Sequence, residues 1–137
     1  DTGHVIPSLI SKFEKSLRGE TSEVILWGNG SAIRDFMSSL EMARALDFFI
    51  EKGPQGIVNV CSGVKRSIKD VIKSLSDISK IDESKLTWDN NKPNGQAQRY
   101  YKNQKLRNAG FDIEDTFFKD LEYTYNWYIQ NRKTARR

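Results

Sequence analysis

The chain has 137 residues, the size of one domain, and its 37% hydrophobic and 29% charged composition supplies one core and argues against full disorder. No apolar run reaches membrane-spanning length, and one cysteine (Cys61) with one histidine (His4) excludes a disulfide framework, a cysteine-rich zinc site and a multi-histidine metal centre. The formal charge of +4 sits in a tail: without Arg132, Lys133, Arg136 and Arg137 the two signs balance at 18 each, which weakens a nucleic-acid reading that needs a basic face.

The opening Asp1-Thr2-Gly3-His4 shows no basic start of a signal peptide, in keeping with a cytoplasmic protein. Residues 5–18 are predicted as a helix. Val5, Ile6, Leu9, Ile10, Phe13 and Leu17 share a face, Pro7 is tolerated in the first turn, and Gly19 ends it. Val24–Trp27 is predicted as a short buried strand, turned out of by Gly28-Asn29-Gly30-Ser31, with Arg34–Met37 as a second short extended piece. Ser38 or Ser39 caps a helix over 40–52 whose wide apolar surface, with Leu40, Met42, Leu46 and Ile50, requires a large partner surface.

After the loop Gly53–Gly56, the β-branched run Ile57–Val60 is predicted as a strand apolar on both faces, as in a parallel sheet centre. Ser67-Ile68-Lys69-Asp70 has the form of a capping box and opens a helix to about Lys80. Lys85–Asp89 is a candidate strand, Asn90–Gln98 a polar loop, and 103–109 a short helix ended by Gly110. Thr116 is expected to cap a last, aromatic-rich helix to about Asn131, most simply a core helix. The alternation of helices and strands predicts an α/β fold.

The residues alone give no complete catalytic set: no Walker loop, no G-x-G-x-x-G, no H-E-x-x-H and no G-x-S-x-G is present. Each weak signal has a plain reading beside a functional one. His4 is a surface histidine or a proton donor. Gly28-x-Gly30 beside Arg34 is an ordinary turn or a phosphate site, since glycines admit close backbone approach and an arginine fork matches an anion. Trp27 is core packing or a stacking platform. Lys92-Pro93-Asn94-Gly95 is a turn signal before it is a ligand contact. Cys61 reads as a buried, inert thiol. The Asn29-Gly30-Ser31 sequon is discounted without a secretion signal, and residues 132–137 read as a frayed, solvated basic tail.

The order of these signals narrows the choice. His4-Val5-Ile6-Pro7, Leu26-Trp27-Gly28-Asn29-Gly30-Ser31-Ala32-Ile33-Arg34-Asp35-Phe36, Val58–Gly63 with Ser67-Ile68, Lys92-Pro93-Asn94-Gly95, Ala109-Gly110-Phe111 and Thr124–Tyr128 follow one another. Together they resemble the C-terminal half of extended short-chain dehydrogenase/reductases of the NAD-dependent epimerase/dehydratase family that act on nucleotide sugars, most of all the GDP-L-fucose synthase branch.

That resemblance implies a Rossmann-type α/β part made of helices and a few short strands. Residues 1–131 would form the nucleotide-sugar substrate-binding region, and an N-terminal Rossmann half of about 150 residues, absent here, would hold NAD or NADP. Helix 40–52 and strand 57–60 would pack on that half, and the parent would be a homodimer. The partner implied is a nucleotide diphosphate-sugar, with neither nucleic acid nor membrane.

By resemblance, His4 is the proton donor in epimerisation and lies near the cofactor, a task an imidazole suits. Lys12 is a basic substrate-binding position, Trp27 lines the nucleotide site, and Arg34 pairs with the diphosphate. Asn94 stands where the family usually has a substrate-contacting aspartate, and Arg99 is the only cation left where a Pro-Arg-basic run is usual. Ser38–Glu41 and Cys61 depart from the pattern as well. A non-catalytic nucleotide-sugar-binding module is the alternative these departures suggest, and the isolated chain is expected to be inactive.

Overall fold

The computed structural model describes residues 4–135; Asp1–Gly3 and the tail residues Arg136 and Arg137 lie outside the described residues. Helix α1 spans Val5–Leu17 with Pro7 in its first turn, as predicted. It closes in a Schellman pattern: the N–H of Gly19 donates to the Ser16 carbonyl and that of Glu20 to the Lys15 carbonyl, with Gly19 at φ 73°. Strand β1 (Val24–Trp27) pairs in parallel with β4 (Leu86–Asp89), Val24 opposite Leu86 and Trp27 opposite Asp89. Helix α3 (Ile68–Ser79) starts at the predicted capping box: the Ser67 hydroxyl accepts from the Asp70 N–H, and the Asp70 carboxylate accepts from the Ser67 N–H.

These elements and helix α5 (Phe117–Asn131) close around the main core, which includes Leu9, Ile10, Phe13, Leu26, Leu75 and Leu121. The apolar stripes of α1 and α3 each bury one side against the two-stranded sheet or against α5, which is what amphipathic helices beside a short sheet require. A second, smaller core joins helix α2 (Ser39–Lys52), through Ala45 and Phe48, to Leu106 of helix α4 (Gln104–Asn108) and to Phe111 and Ile113. Ser38 caps α2 by accepting from the Glu41 N–H. A three-stranded sheet lies between, in the order β3 (Arg66–Ser67), β2 (Ile33–Arg34), β5 (Gln98–Arg99); β2 is antiparallel to β3 and parallel to β5. The mixed α/β class predicted from the sequence is thus the one observed.

Five local expectations are corrected. Residues 57–60 carry no strand ladder. Val58 and Val60 pack on the second core, Ile57 is 87% exposed, and its carbonyl accepts from the Lys105 ammonium rather than from a neighbouring strand. A strand exists only with a hydrogen-bonded neighbour, and the described residues supply none here.

Of the extended piece Arg34–Met37 only Arg34 lies in a ladder, β2; beyond it the Asp35 carboxylate accepts from the N–H groups of Ser62 and Gly63, and Phe36 packs on Phe117. Gln98, read as loop, is the first residue of β5. At α5, Thr116 makes no side-chain cap. Its hydroxyl donates to Asp120, while Asp115 accepts from the Phe117 N–H and pairs with Arg66. The last helix is only half core: Leu121 and Tyr125 are buried, while Phe118, Tyr123 and Trp127 are exposed.

Candidate functional site

The parallel pair β1 and β4 ends at Trp27 and Asp89, and the crevice beyond the carboxyl ends of parallel strands is where α/β folds place ligands. The turn after β1 needs glycine at 28, where φ is 68° and a Cβ would come within 2.1 Å of the Asn94 Oδ1. Three of its four amides are already engaged, and Gly30 is buried. The Gly28 N–H donates to the Asp89 carbonyl (2.9 Å), the Asn29 N–H to Asn94 Oδ1 (2.7 Å) and the Ser31 N–H to Asn29 Oδ1 (3.0 Å). The turn is therefore no phosphate cradle of its own, and anion recognition falls to side chains.

Those side chains meet next to it. Arg34 on β2 and Arg99 on β5 are direct register partners, and both line a cleft of about 510 Å³ together with His4, Asp35, Cys61 and Tyr101. His4 sits at the N-cap position of α1, makes no capping bond and is exposed, so its imidazole is accessible. Arg34 uses one guanidinium nitrogen, Nη1, on the carbonyls of Ile33 and Gln96, each at 2.7 Å. That holds the plane of the fork and leaves its other N–H groups for a ligand.

Asp35 does not neutralise the pair through a direct bond, since its oxygens hold the Ser62 and Gly63 amides. Asn103 completes that support, donating to the carbonyls of Cys61 (3.1 Å) and Ser62 (3.0 Å). Cys61 is buried, its thiol donates to the Tyr101 carbonyl, and burial, then the Asp35 charge, push its pKa up. Burial and the raised pKa both disfavour the thiolate, in line with the buried, inert thiol expected from the sequence. Among the described residues no group of His, Cys, Asp and Glu could hold a metal ion.

Trp27 overturns the core-packing expectation: it is 50% exposed, with the ammonium groups of Lys12 and Lys92 at 5.5 and 5.6 Å from its ring. The alternation of β1 sets this, burying Val24 and Leu26 and turning Ile25 and Trp27 outward. Lys12 reaches the ring from α1, donates to the Ile25 carbonyl at 2.8 Å, and has its pKa lowered by burial.

Of the six residues singled out from sequence, then, His4, Arg34 and Arg99 share the cleft. Lys12 and Trp27 form a platform at the end of β1, and Asn94 lies at the turn between β1 and β2. Lys92, Asp35 and Asn103 were missed. Lys92 and Asp35 stood inside quoted motifs without a role, while Asn103 acts on residues more than forty positions away and leaves no local pattern. A second cleft of about 670 Å³, between the starts of α2 and α5, has a largely apolar lining that includes Phe36, Leu40 and Phe117.

Comparison with known proteins supplies the family context. The model of the NAD dependent epimerase/dehydratase family matches residues 1–61. The rice protein named Probable GDP-L-fucose synthase 1 (Oryza sativa subsp. japonica) is 30% identical over 139 residues, a match covering 100% of this chain and 42% of that protein. Crystal structures of a GDP-L-fucose synthetase from Naegleria fowleri, one bound to NADP, superpose with TM-scores of 0.87 and 0.85 at 26% identity. They cover 99% and 98% of this chain and 42% and 43% of theirs. A UDP-N-acetylglucosamine 4-epimerase from Methanobrevibacter ruminantium M1, in complex with UDP-N-acetylmuramic acid, gives 0.79 at 26% identity over 95% of this chain and 40% of its own. The chain spans about two fifths of the length of the relatives it matches. The resemblance read from the motifs is borne out over nearly the whole chain.

Proposed function

We propose that this chain, a relative of the NAD-dependent epimerase/dehydratase family, is the substrate-binding portion of an NAD(P)-dependent nucleotide-sugar epimerase/reductase of the GDP-L-fucose synthase kind, acting on a 4-keto-6-deoxy nucleotide sugar. One observation carries the reading: Arg34 and Arg99 stand in register and line one cleft with His4; Trp27, outside that lining, turns outward at the carboxyl end of the parallel strand pair. Two guanidinium forks offer the charge and geometry a diphosphate needs. The Trp27 ring, flanked by Lys12 and Lys92, offers a base a stacking face. His4, accessible at the cleft, would return a proton to the carbon beside the sugar ketone after that carbon has lost one, which is the elementary step of epimerisation.

The dinucleotide cofactor does not fit these residues. The only Gly-x-Gly turn leads from one strand to another rather than into a helix, and the amides of Gly28, Asn29 and Ser31 are engaged within the chain. In this reading NAD or NADP is held by an N-terminal Rossmann half. The natural dock for that half is the stripe Met42, Leu46, Ile50 on α2, which repeats every four residues and is exposed. Homodimerisation of the whole enzyme follows the family likeness. The alternative, a binding module that keeps the diphosphate site without the chemistry, is suggested by the departures at Asn94 and Gln98.

The test is a calorimetric titration of GDP- and UDP-linked sugars against the chain, with Arg34→Ala and Arg99→Ala beside it. Each substitution removes charge-assisted bonds and is expected to weaken binding by about tenfold or more. A preference for uridine would keep the clamp and retire GDP, and absence of binding in the parent chain would refute the assignment.

A further inference from the structure

We propose that Asn94 is a positioning residue: it latches segment 92–99 onto the turn between β1 and β2 and so sets the guanidinium of Arg34 in the cleft. The inference rests on reading that cleft as the diphosphate site. Residues 91–99 are all exposed, so no buried side chain holds this segment in place. The β2–β5 ladder anchors its end at Gln98 and Arg99, and point contacts hold the rest. Lys92 lies over Trp27, Asn94 Oδ1 accepts from the Asn29 N–H at 2.7 Å, the Gln96 carbonyl accepts from Arg34 Nη1 at 2.7 Å, and the Ala97 carbonyl accepts from the Ile33 N–H at 2.8 Å.

Asn94 is the one side chain among these that bonds the backbone of the turn after β1, and it lies so close that Gly28 has no room for a Cβ. Its oxygen, the atom a substrate-contacting aspartate would present, is therefore occupied inside the protein. Two residues on, the Gln96 carbonyl joins that of Ile33 in fixing the Arg34 fork. Gly95, whose Cβ would stand 3.5 Å from Arg34 Nη2, leaves that nitrogen uncovered for a ligand. A neutral amide does this work without adding a negative charge to the segment that carries Arg99, which an aspartate in the same place would do.

The experiment uses the full 137-residue chain, with GDP as probe, titrated calorimetrically, and amide exchange followed by nuclear magnetic resonance. Asn94→Ala is expected to weaken GDP binding by about three- to tenfold, the scale of one lost hydrogen bond, and to speed exchange at the Asn29 amide by about tenfold or more. Asn94→Asp, which accepts the same N–H, is expected to restore the protection of Asn29. In an Arg34→Ala background, Asn94→Ala is expected to change GDP binding by less than about twofold, because it acts through Arg34.

An undiminished effect in that background would mean that Asn94 meets the ligand itself, and would overturn the proposal. Unchanged protection of Asn29 in Asn94→Ala would overturn it as well. If the parent chain binds no GDP, the functional reading fails on its own, and the latch is decided by the Arg34 Nε–H resonance, which must move on Asn94→Ala for the latch to stand.

Discussion

Buried and capping side chains of this chain give its clearest stability consequences. The hydroxyl of Tyr125 donates to the carboxylate of Glu14 inside the main core, where both residues are nearly inaccessible. Tyr125→Phe strands a buried acceptor and is expected to cost about 1–3 kcal/mol in urea unfolding. Burial, then the bond to Glu14, push the Tyr125 pKa above its ordinary 10.0. Because the folded state holds this proton more tightly than the unfolded one, its contribution is complete below pH 10 and is lost as pH rises beyond it. Unfolding measured from pH 8 to 11 should fall less steeply in Tyr125→Phe than in the parent.

Asp70 behaves in the opposite sense: bonds from the Ser67 side chain, then the Ser67 backbone, lower its pKa from 3.8. Its stabilisation is present above that value and is lost as pH falls through the lower folded one. Ser67→Ala should cost about 1 kcal/mol at pH 7 and flatten this acid limb. The Ser67–Asp70 box was readable because its partners lie three residues apart. The role of Asn94 was not, since its partner Asn29 is sixty-five residues away and hydrogen-bonding partners at that distance leave no trace in spacing.

Secondary-structure elements with a strong local signal were legible: α1 and α3 occupy the residues that their apolar periods and terminators mark out, and β1 the apolar run before Gly28. Elements that exist only through pairing were not. The two-residue strands β2, β3 and β5 have no period to read, and residues 57–60 show the converse, a β-branched run with no ladder. The turn joining β1 to β2 ties both kinds together, and Gly28 measures it. A left-handed backbone costs an ordinary residue about 1–2 kcal/mol. At Gly28 a Cβ must also displace the Asn94 oxygen 2.1 Å away, whereas at Gly19, with φ 73°, nothing lies within 4 Å. Gly28→Ala is therefore expected to lower the unfolding midpoint well beyond Gly19→Ala. It should also speed exchange at the Asn29 amide, which Gly19→Ala should leave alone. Equal losses in the two variants would mean that only backbone strain matters at position 28.

At the scale of the whole molecule, the two small cores leave an apolar stripe of α2 uncovered among the described residues. On α2, Leu46 is 55% and Ile50 is 85% exposed, and Ile57 beyond the helix end is 87% exposed. The opposite side of α2 is satisfied, since Ala45, Phe48 and Phe49 pack on the second core, so the stripe is not a symptom of a loose helix. Contiguous apolar surface of this kind drives association in water. The free chain is expected to self-associate in light scattering at micromolar concentration, and the double substitution Leu46→Lys with Ile50→Lys to disperse it with an unchanged circular dichroism spectrum. If the stripe is the dock of an N-terminal Rossmann half, a separately produced half from a fucose synthase relative should disperse the parent chain too, but should bind the lysine variant at least about tenfold more weakly, two desolvated charges being costly at an apolar contact. NADPH oxidation should appear only in that reconstituted pair, because the described residues have no cradle for the dinucleotide. A parent chain that stays monomeric, or that turns over NADPH unaided, would show that α2 presents a finished surface and that the division of labour proposed here is wrong.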